Sequence, residues 1–161
     1  MPSKELIDRS RIDPNQVVAD LEAIRKVNPQ RLEFEQLTRI CYFDEAAGEA
    51  AGVLEIPAEP WWGPGHVPGR PLMPGVLMIE ALAQVCSWAV HQVIDGSKHP
   101  GKIFGFGGVD KVKFRGAIFP PAEFLMLAKA VDIRTRRAVM DTQGWIGDKL
   151  VVEAQITGLW V

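Results

Sequence analysis

Residues 65–84 read GHVPGRPLMPGVLMIEALAQ, and this stretch decides both the fold and the place where chemistry is expected. His66 sits in a loop stiffened by Pro68, Pro71 and Pro74, since each proline ring fixes its own φ and restrains the residue before it. The loop feeds a segment from Pro74 to about Ile94 that is too long for a strand. Val76, Leu77, Ile79, Leu82, Val85, Trp88 and Val93 fall on every side of it, and a helix that is apolar all round is a buried helix. Its polar residues Glu80, Gln84, Ser87 and His91 are spaced by four, three and four, which places them on one narrow stripe. A solvent-facing edge accounts for Ser87 and His91 as well as a function does. Glu80, in the second turn beside the loop of His66, is the more pointed signal.

Outward from this helix the patterns change. Asp13-Pro14 followed by Val17, Val18, Leu21, Ile24 and Val27 predicts an N-terminal amphipathic helix over 14–27, ended by Asn28-Pro29. LTRICYFDE and AGVLEIP read as two antiparallel strands, and EPWWGPG as a loop. After Asp95-Gly96-Ser97 the chain reads as about four further strands, separated by Pro120-Pro121, Thr135-Arg136-Arg137 and Gly147-Asp148. The expected fold class is α+β: an antiparallel sheet of about six strands wrapped round the long central helix, with an N-terminal helix, in a single domain spanning 1–161.

The net charge of -2 among 161 residues argues against function through bulk grip on nucleic acid or anionic membrane. The start has no apolar signal run and no later stretch reads as a bilayer span, so the expectation is a cytoplasmic protein with no membrane and no nucleic-acid partner. Cys41 and Cys86 lie on apolar-patterned segments without metal-ligand spacing and are expected to be free buried thiols.

The chemistry follows from the helix start. Its first turn presents free backbone donors and the positive end of the helix dipole. Pro74 has no amide hydrogen, so Gly75 supplies an early donor, and its missing side chain lets a ligand approach. A thioester carbonyl held there would be polarised, His66 is the natural base for the carbon next to it, and Glu80 suits the acid that releases a hydroxyl one carbon further on. Gly75 and Glu80 are five residues apart, about 7.5 Å along the axis, enough to flank one short substrate segment. Trp61 and Trp62 fit core packing and a substrate wall equally well.

His66 to Gln84 closely resembles the pattern HxPGxPxxPGVLxxEAxAQ of the 3-hydroxyacyl-(acyl-carrier-protein) dehydratases of fatty acid synthesis, which have the hotdog fold. VDKVKFRGAIFPPAEFL resembles a strand segment of that family, and NPQRLEFEQLTRI matches another more loosely, keeping Pro29, Arg31, Phe34, Arg39 and Ile40. The resemblance implies that His66 is the base, Glu80 the partner carboxyl, Gly75 the carbonyl donor and Gln84 the residue that orients the glutamate, with no metal or cofactor. It also implies a homodimer in which one site takes His and Glu from different subunits, often built further into a trimer of dimers. Val67 replaces the usual phenylalanine, Trp61-Trp62-Gly63-Pro64 replaces a phenylalanine pair, and Gln30, Leu32, Thr38 and PPAE are further departures. Trp61, Trp62 and Val67 therefore border the expected acyl tunnel of a divergent member.

A carrier protein is acidic, so basic residues should surround the tunnel mouth. Lys98, Lys102, Lys111, Lys113 and Arg115 are the densest basic stretch, and Lys111, Lys113 and Arg115 are the docking candidates, against an ordinary solvated strand face. Two other functions fit the same fold: a hotdog acyl thioesterase, which would use the helix carboxylate with water and would not need His66, and a non-catalytic acyl-binding protein.

Overall fold

In the computed structural model, which describes residues 4–161, the apolar segment after Pro74 forms one helix of 19 residues, Gly75–Val93. Two short helices precede it, Leu21–Arg25 (α1) and Gly63–His66 (α2), so it is α3 in chain order. Its first turn closes on Pro74, whose carbonyl accepts from the amides of Leu77 and Met78 at 3.0 and 3.3 Å. Its last residue gives way to Ile94 in extended conformation.

Six strands surround it: Arg39–Asp44 (β1), Glu49–Ile56 (β2), Phe104–Phe114 (β3), Ala122–Arg134 (β4), Arg137–Ile146 (β5) and Lys149–Trp160 (β6). They form one antiparallel sheet in the order β1-β2-β4-β5-β6-β3. The α+β expectation of about six strands and a central helix holds. Met78, Leu82, Val85 and Val90 of α3 share a core with Phe124, Met126, Val152 and Ile156 of the sheet. Each such side chain, fully buried, contributes roughly 1.5–3 kcal/mol. The helix lies close because Gly52 on β2 has no side chain: a Cβ there would stand 2.8 Å from Leu37 and 2.9 Å from Val85.

The N-terminal helix is shorter than its pattern predicts. Only Leu21–Arg25 is helical, capped by Asp20, whose carboxylate accepts from Ala23 N at 2.8 Å. Upstream, the amides of Val18 and Ala19 donate to the Ile40 carbonyl at 2.8 and 3.2 Å, and Ile40 N returns a bond to Ala19 at 2.9 Å. Pairing with the β1 edge thus claims the backbone groups that a helix would have used, and β-branched Val17 and Val18 suit that extended course. Asp13 caps a turn instead, accepting from Asn15 N at 2.9 Å.

Two further differences bear on packing. By length and composition α3 could cross a membrane, contrary to the expectation that no stretch could, but the sheet curls round it and ten of its residues are buried. The segment from Lys4 to Ile12 covers the outer face of the sheet, burying Ile7 and Ile12 against Cys41, Val53, Leu127 and Trp145. Gln143 fastens it, accepting from Leu6 N and donating to the Lys4 carbonyl, both at 2.9 Å, while the Arg9 guanidinium lies 3.9 Å over the Trp145 ring. The sequence reading assigned this segment no element. Cys41 and Cys86 are buried and unbridged, as expected.

Candidate active site

The centre of the site is a pair one turn apart on α3. Gln84 Nε2 donates to Glu80 Oε1 at 2.8 Å and to the Phe34 carbonyl at 2.6 Å, while Gln84 Oε1 accepts from Gln36 N at 2.8 Å. The Gln84 backbone carbonyl accepts from Asn28 Nδ2 at 3.0 Å. Residues 28–36 are thus stitched to the helix at Gln84. Arg31 folds this stretch by donating to the carbonyls of Arg25, Asn28 and Gln30 at 2.9, 2.9 and 2.7 Å. The hydrogen bonds of Asn28, Arg31 and Gln36 could not be read from the helix pattern, although the looser family likeness did keep Arg31 and Phe34.

The polar stripe of α3 is no solvent edge. Gln84 and Ser87 are only 3% and 6% exposed, and Glu80 is half-buried. Below Glu80 a cavity of about 70 Å³ runs along the helix past Ser87 and Val90 to Phe104, Met140 and Ile156. Cys86 also lines it, but burial pushes its thiol up to about 12, which removes it as a nucleophile.

Gly75 opens α3, and as its first residue its N–H has no intrahelical acceptor. A Cβ there would lie 2.9 Å from the Phe114 ring, so the last residue of β3 leaves room only for glycine. His66 ends α2 and is exposed, with Nδ1 2.9 Å from the Leu72 carbonyl. A carbonyl can only accept, so Nδ1 carries the hydrogen of this bond, and in the neutral ring Nε2 is left as the acceptor. Met73, fully buried, anchors the rest of the loop through its N–H to the Ile118 carbonyl at 2.9 Å.

Glu80, Gln84 and Gly75 share α3; of the site candidates only Glu80 lines the cavity, and His66, Trp61, Trp62, Val67, Gly75 and Gln84 do not. The tryptophans separate: Trp62 is 5% exposed in the main core, and Trp61 is 58% exposed on a surface hollow with Pro60, Pro64 and Pro71. Of the basic candidates, Arg115 is held by Glu153 at 2.9 Å, and Lys111 and Lys113 are exposed on β3 where a bulge interrupts its pairing with β6. Among the described residues, no three of His, Cys, Asp and Glu converge as a metal cluster.

A sheet curled round one long helix defines a hotdog-fold protein, with its candidate site on the central helix. The chain belongs to the family with the FabA-like domain, whose model matches residues 28–155. It is similar to the 3-hydroxyacyl-[acyl-carrier-protein] dehydratase FabZ of Desulforamulus reducens, 31% identical over 137 residues covering 85% of this chain and 94% of the relative. The enzyme of that name from Natranaerobius thermophilus is 33% identical over 138 residues, covering 86% and 94%. Among solved structures, a dehydratase heterocomplex from Xenorhabdus doucetiae matches with a TM-score of 0.71 at 10% identity, over 86% of this chain and 90% of that one. A mutant thioesterase from Pseudomonas aeruginosa matches at 0.65 and 15%, over 89% and 95%. Likeness at such identities speaks to the fold alone.

Proposed function

We propose that this protein dehydrates 3-hydroxyacyl thioesters carried on acyl carrier protein to trans-2-enoyl thioesters, as a hydro-lyase of fatty acid or related lipid synthesis in the cytoplasm. The observation that carries the reading is the Gln84-held Glu80 at 2.8 Å, five residues from the free Gly75 amide, in a member of the FabA-like family.

The thioester carbonyl accepts from Gly75 N–H, which steadies the negative charge that grows on its oxygen. His66 Nε2 takes a proton from carbon 2, and the electron pair of that C–H bond becomes the carbon 2–carbon 3 double bond. The C3–O bond breaks, and the departing hydroxide leaves as water with a proton from Glu80. Gln84 holds one carboxyl oxygen so that the other faces the substrate.

The proposed site draws on two protomers, a reading supported by His66 not lining the cavity below Glu80 in its own chain. The sheet supports this arrangement. The β1 edge is closed by the bridge from Ala19 to Ile40, but β3 is an edge strand with Phe106, Val109, Val112 and Phe114 exposed. A long apolar edge of that kind invites a second strand. Pairing two copies through β3 would bring the Gly75–Phe114 contact of each to the junction, and further assembly into a trimer of dimers is compatible with it. Lys111 and Lys113, on the same strand and without an ion pair among the described residues, are the groups that meet the acidic carrier.

The test is the product. Purified protein incubated with 3-hydroxyacyl thioesters over a range of chain lengths should yield the conjugated enoyl thioester. Release of free thiol would identify a thioesterase, and no reaction would leave an acyl-binding protein.

A further inference from the structure

Two side chains that line the cavity below Glu80 carry polar atoms that the reaction does not use. Ser87 and Gln30 both line it, and Ser87 Oγ and Gln30 Oε1 are each buried without a hydrogen-bond partner among the described residues. Buried polar groups nearly always find one. A serine inside a helix usually bonds the carbonyl four residues back, and Ser87 does not. Its own carbonyl is already taken, lying 2.7 Å from His91 Nδ1. At 6% exposure its hydroxyl has no bulk water to turn to.

Ser87 is seven residues past Glu80 on the same face, about 10.5 Å further along the axis. An acyl chain whose carbon 3 sits at Glu80 would therefore run past Ser87 with a later part of its length. A single water needs only about 10–15 Å³, so a cavity of about 70 Å³ has room for several atoms of a ligand between walls that are otherwise mostly apolar.

We infer that this cavity receives an acyl chain bearing a second hydroxyl beyond carbon 3, and that Ser87 and Gln30 hold that hydroxyl. A hydroxyl set between the two would satisfy both orphans, donating to Gln30 Oε1 and accepting from Ser87 Oγ. A keto oxygen only accepts and leaves Gln30 Oε1 unpaired, and a methylene leaves both. The inference rests on the dehydratase reading and names the substrate class of that same site.

The experiment compares kcat/KM for pairs of 3-hydroxyacyl thioesters of equal length, plain or with one further hydroxyl moved carbon by carbon along the chain. At the matching carbon the hydroxylated member should be preferred by about tenfold or more, since sites built around a substrate hydroxyl discriminate strongly against its absence. Ser87→Ala and, independently, Gln30→Leu should bring that ratio close to one. Equal rates along the whole series, or a ratio unmoved in both variants, would overturn the inference, with an ordered water cluster as the occupant. Should no thioester be dehydrated, the dehydratase reading fails by itself. Calorimetric binding of saturated thioesters with and without the remote hydroxyl then decides: tighter binding of the hydroxylated one upholds the hydroxyl site, and equal binding refutes it.

Discussion

Gln84 Nε2 stands 2.8 Å from Glu80 Oε1 while the same side chain is tied to Phe34 and Gln36, so the residue that holds the glutamate is itself held at two further points. Gln84→Leu frees the carboxylate and leaves the Gln36 amide and Phe34 carbonyl unpaired. We expect kcat to fall tenfold or more through lost orientation, with KM changed far less. Each orphaned backbone group should cost about 1–3 kcal/mol in urea unfolding. A variant with normal kcat would show that Gln84 serves only the fold.

His66→Ala and Glu80→Gln should each cut turnover by roughly two or more orders of magnitude with the fold intact. Because one site is expected to join His66 of one protomer with Glu80 of another, the two inactive proteins should complement. Unfolded together and refolded, they form mixed dimers in which one site is wholly mutant and the other wholly native. Recovered activity supports the shared site, and a mixture as inactive as its parents would place both groups in one chain.

The reach of the sequence differed by element, for physical reasons. Gly75–Val93 and the strands after Gly96 were legible because an all-round apolar run and alternating runs between turn residues have few other solutions. Helical spacing over 14–27 misled, since pairing of residues 18–19 with Ile40 outcompeted it. The burial of Gln84 and Ser87 could not be read from spacing, which gives a face but not what covers it. Residues 4–12 carry only a few apolar side chains, and their role appears only against the outer face of the sheet. That role is energetic: Ile7 is 2% exposed, so Ile7→Ala should lower stability by about 2–5 kcal/mol while leaving kcat near native. A loss under about half a kcal/mol would mean that the arm is not docked in solution.

Charge reversal at Lys111 and Lys113 tests carrier docking apart from chemistry. Both are exposed on β3, whereas Arg115 is occupied by Glu153 at 2.9 Å. The double change to glutamate should raise KM for carrier-linked substrate severalfold, more strongly at low salt, and spare a short thioester mimic. Equal loss on both substrates would assign these lysines to the strand instead.

The two cysteines give the protein an alkaline weakness. Burial raises the thiol of Cys41 to about 11 and that of Cys86 to about 12, from an ordinary value of 9.0. In the unfolded chain both ionise near the ordinary value, so above it the unfolded state binds fewer protons than the folded one, and stability falls as pH rises. The loss begins near pH 9 and continues until the folded thiols themselves ionise near 11 and 12, at up to about 1.4 kcal/mol per pH unit for each thiol. Urea unfolding at a series of pH values from 8 to about 10.5 should therefore fall more steeply for the native protein than for Cys86→Ala, even though the variant begins less stable because of its small cavity. Parallel slopes would mean that the Cys86 thiol ionises in the folded protein as readily as in the unfolded chain. Native protein at pH 8 should also resist alkylating reagents that label both cysteines promptly in urea.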